Sequence, residues 1–133
     1  MKKLLLILAA APALALAQTT FDCVTTASGS KHHLLVKLNP VTLLTGKAHT
    51  RAQVELTDTK ETAKFCTMFT VEKNFLRLGY LLSYESILPN GVLVKLQERS
   101  FTNEGPAAFS HGHLVFQPGK PDAEKVALDC VKL

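Results

Sequence analysis

Tryptophan is absent from the 133 residues, aromatic side chains make up only 7% of them, and no basic run is longer than Lys2-Lys3. Without a basic helix, or aromatics interleaved with cations, nucleic acid is not an implied partner. Beyond the amino terminus no apolar run approaches the roughly 20 residues that a membrane-spanning helix requires. A Gly-x-Ser-x-Gly turn, a phosphate-cradling glycine loop, Cys-x-x-Cys and His-Glu-x-x-His are all missing. Their absence removes the sequence support for a serine hydrolase and for the common nucleotide and zinc motifs. Glu55, Glu85 and Glu98 alternate with Lys and Arg, so they read as solvated strand faces and not as a paired acid and base.

What is there begins with an address. Met1-Lys2-Lys3 is a short cationic start, Leu4 to Ala11 is unbroken and apolar, and Ala15-Leu16-Ala17 is an A-x-A cleavage site. Residues 1–17 are thus expected to be a secretory signal peptide, with residues 18–133 forming one domain destined for the periplasm, cell envelope or exterior. Loss of Lys2 and Lys3 leaves 13 cationic side chains against 11 acidic ones. Most of the apparent basicity therefore belongs to the export signal.

From Thr20 onward the pattern is all-β. Ala48, Thr50, Ala52, Val54 and Leu56 alternate with Lys47, His49, Arg51, Gln53, Glu55 and Thr57, the period of a half-buried strand. Val92, Val94 and Leu96 repeat the device against Lys95, Gln97 and Arg99, after a Pro89-Asn90-Gly91 turn. Further strands are expected at 21–26, 31–38, 62–71, 75–84, 110–117 and 124–132. About eight short antiparallel strands in one small domain must bury their apolar faces on one another. The expected fold is a Greek-key-like β-sandwich or a small closed barrel.

Strand parity selects among the three cysteine pairings. Cys23 shares a face with Phe21, and Cys130 with Val126 and Leu128, so Cys23–Cys130 is the expected disulfide. Cys66 is then a small buried hydrophobe, a link to another chain, or a soft metal ligand beside Met68.

The five histidines carry the chemistry. His111-Gly112-His113 on a strand places two imidazoles on one face, with Gly112 removing bulk from the other. His49 and one of His32 and His33 are the candidates to complete a metal site, and imidazole with a nearby sulfur points to copper. The alternative is a solvated His-x-His face, with His32 satisfied in the core beside Leu34, Val36 and Leu38.

Export, about eight strands, a disulfide and a His-x-His joined by further histidines resemble the secreted copper/zinc and copper-only superoxide dismutases. The resemblance lies in the arrangement of residue types. The His-x-His stands near the end of this chain, whereas in the family it stands in the first half, and the family's glycine-rich zinc loop is absent. The resemblance implies copper held by His111, His113, His49 and His32 or His33. Arg51 or Arg99 would then guide a small anionic substrate, superoxide.

A second function class is a non-catalytic accessory subunit of an envelope complex, or a homo-oligomer, docking through a sheet face or edge strand. Residues 31–38 and 75–84 are apolar on both faces, more than one buried face requires. A barrel holding a small apolar ligand fits the same residues.

Overall fold

The computed structural model describes residues 18–26, 31–41, 46–59, 61–101 and 109–133. The export segment 1–17 lies outside the described residues. The strands are β1 (Thr19–Thr25), β2 (His33–Leu38), β3 (Gly46–Thr57), β4 (Thr62–Leu76), β5 (Gly79–Ile87), β6 (Leu93–Phe101), β7 (Phe109–Phe116) and β8 (Glu124–Lys132). Each pairs antiparallel with the next, and β1 pairs with β8, so the sheet closes into an up-and-down barrel. Of the two expected architectures the closed barrel is the one formed. Closure pairs the wall segments on both sides; among the described residues Asn74, Phe75 and Leu76 of β4 pair with β5 alone and leave a short open edge.

Alternation decides what lies inside. Phe21, Leu34, Val36, Val54, Phe69, Val71, Val94, Leu96, Leu114 and Leu128 all point inward and are almost fully buried. Eight strands enclose an interior just wide enough for such side chains to fill. At Gly112 the neighbouring β6 strand leaves no room for a side chain. A Cβ there would stand 2.3 Å from the Lys95 carbonyl oxygen and 2.7 Å from Leu96 Cδ2.

Cys23 and Cys130 lie directly opposite each other on β1 and β8, joined by a disulfide inside the barrel. The bond fastens the seam where the first and last strands meet. Cys66, on the outer face of β4, is exposed, which corrects the reading of it as a buried hydrophobe. At the β5–β6 connection Gly91 adopts φ +91°, and its N–H donates to the Leu88 carbonyl at 2.8 Å. The Asn90 side-chain oxygen accepts from the Val92 N–H. The Pro89-Asn90-Gly91 signal thus makes the turn for the reason given by its residue types.

One pair of strands differs from expectation in a way that matters for function. The expected break between 71 and 75 is absent: β4 runs on to Leu76 and the chain reverses at Arg77-Leu78. Pairing continues past the barrel wall because Phe75 stands opposite Tyr80, and the Lys73 ammonium lies over both rings, 5.4 and 4.4 Å from their centroids. The result is a β4–β5 finger, open along β4 beyond Lys73 and flanked along β5 by β6 as far as Phe101.

Candidate functional site

Two features converge at the end of the barrel from which the finger projects. Here the start of β1, the end of β2, the ends of β4 and β8 and the start of β5 surround a mouth of about 160 Å³, lined by Leu38, Thr50, Val71, Lys73, Tyr84 and Lys132 among others. Glu98 lies buried on the inner face of β6. Its carboxylate accepts from the Tyr84 hydroxyl at 3.0 Å and from the Lys132 ammonium at 2.6 Å. Burial, and then the Glu98 charge, push the Tyr84 phenol well above its ordinary range. The Tyr84 ring is fixed edge-on against Phe21, 5.2 Å between centroids.

Glu98 is a correction to the sequence reading, which placed it on a solvated face. Its residue is 1% exposed, on the same face as Val92, Val94 and Leu96. The signal that could have found it was parity itself: Val92, Val94, Leu96 and Glu98 share one phase of the alternation. A carboxylate in that phase demands partners, because an unpaired buried charge costs several kcal/mol. Tyr84 and Lys132 meet the demand.

The finger is the second feature. Phe75 is 65% exposed and Leu78 56%, with Leu76 also open to solvent. Lys73, Phe75 and Tyr80 continue the inward phase of their strands beyond the wall, so they overhang the mouth. Leu76 and Leu81 lie on the opposite face, and Leu78 forms the tip. On the β6 side the wall still runs alongside at this height, where Ser100, opposite Tyr80, is buried; Phe75 and Tyr80 therefore face the rim of the interior, while Leu76 and Leu81 face outward.

The histidines are distributed around the wall. His111 and His113 sit on the outer face of β7, half-buried, with Gln97 and Asp129 flanking His111 and Lys95 and Ala127 flanking His113. His49 lies on the outer face of β3, beside Thr70. In the closed strand order three strands separate β3 from β7 in either direction, so His49 faces away from the His111–His113 pair. His33 is on the outside of β2 and pairs with Asp22 of β1. His32 lies at the far end of the barrel, its ring 5.1 Å from that of Phe116. Among the described residues no group of three or more His, Cys, Asp or Glu is placed to hold an ion. The four-histidine set implied by the resemblance is not gathered, and no catalytic step is derived through copper. Of the two arginines, Arg99 shares the β6–β7 wall with His111 and His113, whereas Arg51 stands with His49 on the opposite wall.

His113 has a measurable consequence of its own. Burial, followed by the charges of Lys125, Lys95 and His111, lowers its pKa below the ordinary 6.5, with Glu85 opposing. The unfolded chain therefore takes up this proton first as the pH falls. Stability should decline as the pH drops through about 6.5 and level off once His113 is charged in the folded state as well. Urea denaturation at pH 7, 6 and 5 checks this: His113→Gln should flatten the slope, and an unchanged slope would assign the effect elsewhere.

Comparison with protein-family models, with curated proteins and with solved structures found no match for the chain.

Proposed function

We propose that the protein is an exported, non-catalytic binding module of the cell envelope whose working surface is the finger end of the barrel. The observation that carries this reading is the exposure of Phe75, Leu76 and Leu78 together on a projecting hairpin. Soluble proteins rarely expose apolar side chains contiguously unless something covers them. The rest of the molecule supplies a rigid mount. A packed interior, a closed sheet and a disulfide at the seam hold the finger without asking the finger to contribute to the core. The disulfide is itself compatible with an oxidising compartment.

Phe75 and Leu78 are exposed, so replacing them with serine should leave the barrel in place; Phe75→Ser also removes the ring opposite Tyr80, and Leu78→Ser alone is the companion variant that keeps the Phe75–Tyr80–Lys73 contacts of the finger. The double variant Phe75→Ser/Leu78→Ser should keep the wild-type Tm within a few degrees and lose its association with the envelope fraction of the producing cell. Envelope association equal to that of the wild type would overturn the proposal.

Copper bound by His111 and His113 is a second reading, favoured by their common outer face. Superoxide chemistry at such a site would require about one copper per chain after loading and dialysis, lost on His113→Ala. The distribution of the other histidines, and the cations Lys95 and Lys125 beside His113, lead us to expect less than this, with no effect of His49→Ala.

A further inference from the structure

The finger differs from an ordinary protein-docking patch in being apolar on both faces. Phe75 and Tyr80 lie on the side above the mouth, Leu76 and Leu81 on the other, and Leu78 at the tip. A flat partner surface covers one face of a hairpin. A yielding medium covers both at once. Charge points the same way: residues 73–84 contain Lys73 and Arg77 and no Asp or Glu, while just below them Lys47 and Glu72 stand opposite each other and add no net charge.

From these observations we propose that the finger inserts into the headgroup region of an anionic lipid surface. The proposal rests on the reading that the finger is the working surface, and names what it works on. Dimensions agree with the chemistry. The Leu76–Gly79 pair that closes the turn lies three residues from the Lys73–Leu82 pair, about 10 Å along the strands. Interfacial segments bury their apolar groups about 5–10 Å deep. With Leu78 and Leu76 inserted deepest, the Phe75 and Tyr80 rings and the Lys73 ammonium that lies over both stand together at the headgroup level, the depth that amphipathic rings favour. Arg77, close to the tip, reaches back to the phosphates along its own aliphatic stem.

The lack of tryptophan makes the test clean, since Phe75→Trp introduces a single indole reporter. With vesicles of phosphatidylcholine and phosphatidylglycerol, its emission should shift to the blue and become protected from acrylamide. Vesicles of phosphatidylcholine alone should produce a much weaker response, and added salt should reverse the anionic one. Adding Lys73→Gln and Arg77→Gln should weaken partitioning by about tenfold or more, since each cation near an anionic surface is worth roughly fivefold. Ile87→Trp is the control, at an equally exposed position near the far end of β5. No shift at position 75, or an equal shift at position 87, overturns the proposal. If vesicles give no shift while envelope association still depends on Phe75 and Leu78, the lipid is wrong and the finger reading stands, with a protein as partner. If neither depends on the finger, both fall.

Discussion

Replacing both Cys23 and Cys130 with alanine is expected to lower the unfolding free energy by about 4–5 kcal/mol. The bond spans 107 residues of sequence, and cross-linking so long a loop removes roughly this much from the conformational freedom of the unfolded chain. For a domain of this size the loss corresponds to a fall in Tm of about 15–25 °C. Position adds to length. The bridge joins the two strands whose pairing closes the barrel, so without it the seam between β1 and β8 depends on backbone hydrogen bonds and the packing of Phe21, Leu128 and their neighbours. Cys66→Ala, on the exposed outer face of β4, should change stability by no more than about 0.5 kcal/mol. Differential scanning calorimetry of the variants, with and without reductant, checks both. A loss below about 1 kcal/mol for the double variant would mean that the unfolded chain is already constrained by other means.

Lys132→Met should have the next largest effect. It strands the Glu98 carboxylate inside the barrel with the Tyr84 hydroxyl as its remaining side-chain partner. Breaking a buried ion pair costs about 3–5 kcal/mol. The Lys132 side chain is 41% exposed, so part of its charge is already hydrated and the cost falls below that range, to about 2–3 kcal/mol. What identifies the mechanism is the recovery. Converting the whole set, Tyr84→Phe/Glu98→Leu/Lys132→Met, removes every charge and hydroxyl that needs a partner. It should regain most of the loss, as apolar replacement of buried ion pairs does elsewhere. Denaturant titration of the single and triple variants measures the difference. Equal destabilisation in both would show that packing, and not the stranded charge, sets the cost.

Much of this architecture was legible in the residue order, for definite reasons. Alternation gives the face of every residue along a strand, so the inward phases of β3, β6 and β8 and the pairing of Cys23 with Cys130 followed from it. The β8 boundaries, Glu124–Lys132, were read directly. Alternation does not say which strands are neighbours. A sandwich and a barrel share the same local pattern, and only the pairing of β1 with β8 distinguishes them. The same blindness separates His49 from His111 and His113: alternation puts His111 and His113 on one face and His49 on the polar face of its strand, but it does not reveal that these faces belong to opposite walls. Glu98 was misread because its charge was weighed above its phase. The expected strands stop at 71 and resume at 75, whereas the Phe75–Tyr80 pair and the lysine over both rings carry the hairpin on to Arg77-Leu78.

The claim on which the rest depends is that the finger is covered by something in the producing cell. A photo-activatable phenylalanine analogue at position 75, compared with the same analogue at Ile87, tests it most directly, because the two sites are almost equally exposed and Ile87 ends β5 seven residues from Tyr80, the partner of Phe75. After illumination of intact cells, position 75 should cross-link in high yield, to lipid or to one defined protein, with position 87 near background. Equal yields at the two positions, or none at position 75, would contradict the account.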